Sequence, residues 1–183
     1  MNIIIFGPPG AGKGTQSKFI VQKYNLFQVS TGDLLRQEII NKSEIGLKIG
    51  SIVNAGSLVS DNIVSGLIES VIKKDQLKNK IIFDGYPRNL AQAENLNVLL
   101  NKYNQKIHLV LKLSVNLETI EKRITGRSTC SMCGKIYNDF FNPPPLSAEC
   151  CSRKYLQKRG DDIRDVAVKR FNTYEKETKP ILN

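Results

Sequence analysis

A glycine-rich run close to the start of the chain constrains its fold more strongly than any other feature. It reads Gly7-Pro8-Pro9-Gly10-Ala11-Gly12-Lys13-Gly14-Thr15 and follows an apolar stretch of strand length, Asn2 to Phe6. Small residues let the backbone curl so that successive N–H groups point inward, and the start of a following helix adds partial positive charge. Lys13 supplies a full charge at the same place. A strand, such a loop and a helix form a P-loop, which predicts that the chain binds the phosphates of a nucleotide.

Apolar runs alternate with amphipathic stretches along most of the chain. Buried strands are predicted at Asn2 to Phe6, Ile81 to Asp84 and Ile107 to Leu113. Helices are predicted at Gly12 to Tyr24, Asp61 to Lys74, Leu90 to Asn101 and Leu117 to Ile124. Continuous apolar strands that alternate with helices predict an α/β fold, in which a parallel sheet is flanked by helices on both faces.

Two segments interrupt the alternation. Residues 31–59 have a helical and more polar pattern, which is interrupted by Gly46, Gly50 and Gly56. Residues 127–159 contain four cysteines and three consecutive prolines, which predicts a small irregular insertion. After this insertion, Asp161 and Asp162 are predicted to cap a helix that continues to about Thr178.

The formal net charge is +10, from 27 basic and 17 acidic residues. A basic surface can bind nucleic acid, but these residues are spread along the chain without a dense block, which favours arginines that converge on nucleotide phosphates. The apolar runs are too short to cross a membrane and the N-terminus lacks a secretory signal, so a cytoplasmic location is expected. His108 lies in an apolar run and is predicted to be packed or at a strand edge, not catalytic.

Further motifs follow the glycine-rich run in a fixed order. They are Ser30-Thr31-Gly32-Asp33-Leu34-Leu35-Arg36, Asp84-Gly85-Tyr86-Pro87-Arg88, Gly126-Arg127 and Arg159-Gly160-Asp161-Asp162. Gly14 separates Lys13 from Thr15, and this Gly-Lys-Gly-Thr variant of the P-loop is found in nucleoside-monophosphate kinases. Across its whole length the chain resembles the adenylate kinases, in their bacterial long-lid type.

This resemblance implies a reversible, Mg²⁺-dependent transfer of a phosphoryl group from ATP to AMP that gives two ADP and serves adenine nucleotide homeostasis. The partners would be these nucleotides, without nucleic acid or membrane, and the protein a monomer. By the same resemblance, a P-loop core would comprise residues 1–29, 60–126 and 160–183. A helical AMP-binding insert would comprise residues 30–59, and a small lid insert residues 127–159.

The resemblance also implies roles for individual residues. The groups around the transferred phosphoryl group would be Lys13, Arg88, Arg123, Arg127, Arg159 and Arg170. ATP would be held by Gly10, Ala11, Gly12, Lys13, Gly14, Thr15, Arg127, Ile136 and Tyr137. AMP would be held by Thr31, Arg36, Ser57, Leu58, Val59, Gly85, Tyr86, Pro87, Arg88, Gln92, Arg159 and Arg170. Asp84, at the end of an apolar strand, would reach Mg²⁺ through water.

The cysteines fit a structural zinc site only in part. Many relatives hold the lid with Zn²⁺ on two Cys-x-x-Cys pairs, so Cys130, Cys133 and Cys150 are the expected ligands. Arg153 stands where the fourth ligand would be, and Cys151, directly after Cys150, is not expected to complete the tetrahedron. The fourth ligand is therefore missing from the prediction, and a lid held by packing and hydrogen bonds is the alternative.

Two other functions stay open at this stage. One is a nucleoside-monophosphate kinase with another specificity, such as UMP or CMP, although Thr31 and Gln92 favour AMP. The other is a P-loop switch or a nucleic-acid-binding ATPase, which would not need a second nucleotide pocket. Relatives also continue beyond the position of Asn183 with a last strand and helix, so a shortened chain is expected, and its full activity is an open point.

Overall fold

The central sheet of the computed structural model, which describes residues 1–145 and 150–182, is parallel throughout. Its four strands are β1 (Asn2–Phe6), β2 (Phe27–Ser30), β3 (Ile81–Asp84) and β4 (Ile107–Lys112). They are ordered β2-β3-β1-β4. Three of these strands were predicted from their apolar runs. The fourth, β2, escaped prediction because it is short and alternates with polar residues, which suits its place at the edge of the sheet.

Helices cover both faces of this sheet. They are α1 (Lys13–Tyr24), α2 (Thr31–Ile40), α3 (Glu44–Asn54), α4 (Asp61–Ile72), α5 (Leu90–Lys102), α6 (Leu117–Thr125) and α7 (Arg164–Thr173). Ile4 and Phe6 of β1 belong to the larger core cluster, together with residues of α4 and α5. Ile3 and Ile5 face the other way, in a cluster that includes residues of α1. The predicted α/β architecture is confirmed.

Side-chain caps set where several helices begin. Ser30 accepts a hydrogen bond from the backbone N of Asp33 at the start of α2, and Ser43 accepts one from Gly46 at the start of α3. Asn89 accepts one from the backbone N of Gln92 at the start of α5. Such caps satisfy backbone donors that the first turn of a helix leaves unpaired. They place the first turns of α2 and α5 at the carboxyl ends of β2 and β3.

The predicted helix after Arg159 differs in both its start and its end. Its first residue is Arg164, and neither Asp161 nor Asp162 caps it, because both carboxylates bind arginine side chains instead. The regular helix ends at Thr173 and continues as a π-helical turn over Tyr174–Thr178 and a 3₁₀ turn over Lys179–Leu182.

The segment predicted to be irregular contains a second, antiparallel sheet. Its strands are β5 (Arg127–Cys130), β6 (Ile136–Asn138) and β7 (Leu156–Gln157), in the order β6-β5-β7. Strands of two to four residues leave too short a pattern to be recognised in sequence. Residues 146–149 of the predicted lid, and residue 183 of the predicted core, lie outside the described residues.

His108 lies on β4, at the edge of the central sheet, as predicted. Its Nδ1 accepts a hydrogen bond of 3.0 Å from the backbone N of Asn2. Within residues 1–145 and 150–182, no helix combines the length and the apolar character that a membrane span requires.

Candidate active site

A cavity of about 690 Å³ lies at the carboxyl end of the parallel sheet. It is bordered by the glycine-rich loop, the helical hairpin α2–α3 and the segment that contains β5 and β6. Lys18 of α1 donates a hydrogen bond of 3.4 Å to the carbonyl of Gly134, so the β5–β6 segment touches the core beside the cavity. The carboxyl edge of a parallel sheet is the usual place for a ligand in this class of fold.

The glycine-rich loop has the conformation that a phosphate cradle requires. Gly10 (φ 77°) and Gly12 (φ 96°) are left-handed, a conformation that residues with a side chain rarely adopt. Gly12 is the cap residue of α1, so the first N–H groups of the helix are next to the loop. A Cβ atom at Gly10 would lie 2.9 Å from Cγ1 of Ile124, so α6 packs directly behind the loop.

Lys13 lies at the centre of this loop. Its Nζ donates hydrogen bonds to the carbonyl oxygens of Gly7 (2.7 Å) and Pro8 (3.0 Å). Burial lowers the pKa of Lys13 to about 8, and the positive charges of Arg88 and Arg170 add to this effect, while Asp84 opposes it. Burial therefore disfavours the charged form of Lys13 more than Asp84 favours it.

Arg88 and Arg36 approach the cavity from the opposite side. The Nε of Arg88 donates a 2.8 Å hydrogen bond to the carbonyl of Gly85, and its Nη2 lies 3.4 Å from Oγ1 of Thr31. Arg36 pairs with Asp33 at 2.6 Å. Burial lowers the pKa of Arg88 to about 10, followed by repulsion from Arg170. Guanidinium groups in such a position are suited to bind the oxygens of a phosphate two at a time.

The remaining arginines reach the cavity from elements that are distant in sequence. Arg127 of β5 binds Asp162 through Nε (2.8 Å) and Nη2, and Arg170 of α7 binds Asp161 at 2.6 Å. Arg159 lies 3.7 Å from Asp33. These acidic partners hold the guanidinium groups at the cavity wall. Arg123 of α6 donates a 3.1 Å hydrogen bond to the carbonyl of Ala11, at the glycine-rich loop.

The structure brings nearly all the residues predicted to bind nucleotides to this one cavity. On the side of the glycine-rich loop, the lining includes Gly10, Ala11, Gly12, Lys13, Gly14, Thr15, Ile136 and Tyr137. On the opposite side it includes Thr31, Arg36, Ser57, Leu58, Val59, Gly85, Pro87 and Gln92, and the six predicted phosphoryl-binding residues are also present. Tyr86 is the exception, because its side chain is buried in the main core.

A comparison with known proteins places these features in a family. The family model for adenylate kinase matches residues 5–183. The chain belongs to the adenylate kinase family. An adenylate kinase of Pelagibacter ubique is 47% identical over 182 residues, which is all of this chain and 85% of the relative. Adenylate kinases of Fusobacterium nucleatum and Listeria monocytogenes are 44% and 39% identical, again over all of this chain and over 85% and 86% of the relatives.

The activity of the chain is accordingly phosphoryl transfer between ATP and AMP, and Mg²⁺ accompanies ATP in this activity. Asp84 is the carboxylate at the carboxyl end of β3, and it is buried. Burial raises its pKa, although Lys13 and the side chain of Gln28 favour the ionised form. Nε2 of Gln28 donates a 2.9 Å hydrogen bond to Oδ2 of Asp84, which leaves the carboxylate further acceptor positions.

The positions of the four cysteines correct one prediction made from the sequence. Cys150 and Cys151 both reach the group formed by Cys130 and Cys133, and the four sulfur atoms all lie within 4.8 Å of one another. Cys151 has a left-handed backbone (φ 74°). Cys151, directly after Cys150, was not expected to complete a tetrahedron, and this backbone bend explains how both side chains reach the same group. Cys151 supplies the fourth sulfur of the cluster.

Several residues of the site were missed in the sequence. Gln28 on β2 was overlooked along with its strand. Asp161 and Asp162 were interpreted as helix caps, although they hold Arg170 and Arg127. Phe141 lines the cavity and its ring centroid lies 5.8 Å from the guanidinium carbon of Arg123. The sequence did contain a signal for the two aspartates. They directly follow Arg159 and Gly160 in the last of the ordered motifs, which indicates a place at the site.

Proposed function

We propose that ATP binds with its phosphates on the glycine-rich loop and that AMP binds with its phosphate at Arg36 and Arg88. The ATP side comprises residues 10–15 with Arg127, Ile136 and Tyr137. The AMP side comprises Thr31, Arg36, residues 57–59, Gly85, Pro87, Arg88 and Gln92. Tyr86, which was also predicted for the AMP side, is left out because it does not line the cavity and its side chain is buried in the main core. The observation that carries this assignment is the convergence of Lys13, Arg88, Arg127 and Arg170 on one cavity, where burial and then neighbouring arginines lower the pKa of Lys13, Arg88 and Arg170.

The chemistry of the transfer requires no protein nucleophile, because an oxygen of the AMP phosphate is itself the attacking group. It attacks the terminal phosphorus of ATP, the bond from that phosphorus to the ADP oxygen breaks, and ADP leaves on the opposite side. The protein must hold two polyanions in line and neutralise their repulsion. Lys13 and the arginines Arg88, Arg123, Arg127, Arg159 and Arg170 perform this task, because preorganised charge stabilises the transferring group.

Mg²⁺ would neutralise part of the phosphate charge on ATP. The residues present suit it, since hard cations prefer oxygen ligands and usually keep several waters. Asp84 has free acceptor positions at the end of the strand beside Lys13, and we propose that it holds the metal through water. Thr15 is placed at the same wall of the cavity and offers a hydroxyl group.

Three functional regions follow from this assignment. The P-loop core comprises residues 1–29, 60–126 and 160–183, the AMP-binding insert residues 30–59 and the lid residues 127–159. The lid contributes Arg127, Ile136 and Tyr137 to the ATP side. When it closes over ATP, it keeps water away from the phosphoryl group, which protects ATP from hydrolysis. The site is complete without a residue from a second subunit, and we propose a monomer that acts on ATP, AMP and ADP in the cytoplasm.

We also propose that the lid binds a structural Zn²⁺ through Cys130, Cys133, Cys150 and Cys151. A tetrahedron with zinc–sulfur bonds of about 2.3 Å has edges of about 3.8 Å. Three of the sulfur pairs are separated by 3.8, 3.4 and 3.6 Å. Elemental analysis of protein purified without a histidine tag should find one zinc per chain. A metal content near zero would leave packing and hydrogen bonds as the lid's support.

The substrate assignment is tested by measuring ADP formation from ATP with AMP, UMP, CMP or GMP as the second substrate. AMP should sustain a rate far above the others, and ATP alone should give almost no ADP. A comparable rate with UMP or CMP would indicate another monophosphate specificity. Hydrolysis of ATP without any monophosphate would indicate a P-loop ATPase.

A further inference from the structure

The side-chain amide of Gln92 is held from both ends. Gln92 lines the cavity on the AMP side, yet it is only 2% exposed. Its Oε1 accepts a 2.8 Å hydrogen bond from the backbone N of Arg88. Its Nε2 donates a 2.6 Å hydrogen bond to Oδ1 of Asp61. An amide that is gripped in this way cannot rotate without losing both contacts.

The two contacts permit one orientation of the amide and exclude the reverse. A carboxylate only accepts hydrogen bonds and a backbone N–H only donates them, whereas the amide has one end of each kind. A flipped Gln92 would set its oxygen against the carboxylate of Asp61 and its NH₂ group against the N–H of Arg88. Both hydrogen bonds would be lost, and the oxygen would face a negative charge in a site with little water.

Asp61 is itself fixed in place. It is the first residue of α4, and its two carboxylate oxygens receive Nδ2 of Asn89 at 3.1 and 3.2 Å. Asn89 caps α5 by accepting a 2.8 Å hydrogen bond from the backbone N of Gln92. Asp61 therefore ties the start of α4 to the start of α5. It is not among the described residues that line the cavity, so it reaches a ligand only through Gln92.

We propose that Asp61 is a positioning residue that selects the base of the acceptor nucleotide by holding the Gln92 amide in one orientation. This inference rests on the proposed function, in which Gln92 faces the base of AMP. The amide nitrogen has a second hydrogen and the amide oxygen a second lone pair. Adenine offers an acceptor, N1, beside a donor, the 6-amino group, and can pair with both.

A 6-oxopurine such as hypoxanthine reverses this pattern. It carries a hydrogen on N1 and an acceptor oxygen at position 6, so it requires the flipped amide. Because the phosphate of the nucleotide is anchored at Arg88 and Arg36, the base cannot turn over to compensate. With Asp61 in place, binding of a 6-oxopurine would leave buried hydrogen-bonding groups of the base and of Gln92 unpaired. A mismatch of this kind discriminates strongly between substrates.

The test is Asp61→Asn, with AMP and IMP present together in one reaction with ATP. An asparagine at this position can accept from the amide or donate to it, so the flipped orientation of Gln92 is opposed only by the backbone N–H of Arg88 and no longer by Asp61. We expect the preference for AMP over IMP, measured as the ratio of the two kcat/KM values from ADP and IDP formed, to fall by about tenfold or more. This ratio is independent of the fraction of protein that is folded, because both substrates compete for the same molecules.

Glu69→Gln is the matched control. Glu69 lies on the same helix, undergoes the same change from carboxylate to amide, and bonds Lys102 and Tyr103 at 2.8 and 2.9 Å, away from the cavity. It should leave the ratio unchanged. A loss of kcat in Asp61→Asn with an unchanged ratio would mean that Asp61 only supports the fold, and would overturn the proposal.

Gln92→Leu separates this inference from the proposed function. Suppose that Gln92→Leu raises the KM for AMP, whereas Asp61→Asn leaves the AMP-to-IMP ratio of kcat/KM within about twofold of the wild type. The proposed role of Asp61 is then wrong, and the proposed AMP site is still supported. If Gln92→Leu leaves the KM for AMP unchanged, the base site itself has been misplaced, and the role of Asp61 falls with it.

Discussion

At the residue scale, the site is defined by positive charges that repel one another. Burial and the neighbouring arginines lower the pKa of Lys13 to about 8, and burial with repulsion from neighbouring arginines lowers the pKa of Arg159 to about 10. Such an arrangement is unfavourable for the empty protein and becomes favourable when phosphate oxygens arrive. The positive charges of Lys13 and the arginines are therefore suited to bind the phosphates of the substrates and do not stabilise the fold.

The pKa of Lys13 predicts proton uptake when ATP binds. At about pH 8, roughly half of the free molecules have a neutral Lys13, and phosphate oxygens should restore its proton by raising the pKa. Below about pH 6.5 the amine is already charged, so uptake should vanish there. Calorimetric titration with ATP in buffers of different ionisation enthalpy measures the protons exchanged. In Lys13→Arg the side chain stays charged, so uptake at the higher pH should disappear. Equal uptake in both proteins would contradict the role of Lys13.

Arg88 provides a second prediction at this scale. Arg88→Lys keeps a positive charge but removes the planar pair of donors that can bind two phosphate oxygens at once. We expect kcat/KM for AMP to fall by about 100-fold, which is the usual cost of losing a donor to the transferring group. Arg164→Lys is the control, because the Arg164 side chain is 72% exposed and pairs with Glu121 on the surface. A loss of less than threefold in Arg88→Lys would refute its assignment, provided that its melting temperature is unchanged.

At the scale of the secondary-structure elements, the AMP-binding insert depends on a close approach between α2 and α3. A Cβ atom at Gly46 of α3 would lie 2.0 Å from the carbonyl oxygen of Glu38 and 2.9 Å from Cα of Ile39. Both atoms are backbone of α2, which cannot move aside as a flexible side chain could. Glycine is therefore required at this point of contact.

This contact predicts opposite effects for two glycines of the same helix. Gly46→Ala should lower the free energy of unfolding by about 3 kcal/mol, because it overpacks backbone against backbone. Gly50→Ala should raise it by about 0.5–1 kcal/mol, since alanine is the better helix former. Apart from its chain neighbours and the adjoining backbone of its own helix, no atom of residues 1–145 and 150–182 lies within 4 Å of the Cβ position at Gly50. Denaturant unfolding of the two variants measures both values. A destabilised Gly50→Ala, or a neutral Gly46→Ala, would contradict the packing described here.

The lid provides the other prediction at this scale. If Cys151 is the fourth zinc ligand, Cys151→Ser should lose as much metal affinity as Cys150→Ser, and both should lower the temperature at which the lid becomes sensitive to protease. Ser131→Ala, an exposed neighbour of the first ligand pair, is the control. Zinc that is retained fully in Cys151→Ser would show that three cysteines and a different ligand hold the metal.

At the scale of the whole molecule, the sequence predicted the parts of the fold that have strong local signals. The apolar runs at β1, β3 and β4 and the periodic helices were all found. Features that depend on partners distant in sequence were not predicted. Strand β2 is stabilised by pairing with β3, and the side chains of Asp161 and Asp162 are held by the arginines that they bind. The position of the Cys151 sulfur beside the other three sulfur atoms depends on one left-handed residue, which no spacing rule anticipates.

The residues proposed for the site stand in ordered motifs, and the resemblance to a family named them from these motifs. The structure brings them together at one cavity. What spacing could not supply is the network behind them. Gln28 beside Asp84 and Asp61 beside Gln92 belong to no motif, and they come into contact only when separate elements pack.

The central claim is that two anion-binding pockets face each other across one cavity. It is tested most directly by the melting temperature in the presence of a dinucleotide whose phosphate chain joins two adenosines and is long enough to fill both pockets. At equal saturating concentration, this compound should raise the melting temperature by at least about 5 °C more than ATP does, since it binds the folded state through both pockets. Arg88→Ala should abolish this additional shift and retain the shift with ATP. Equal stabilisation by the dinucleotide and by ATP in the wild-type protein would contradict the account.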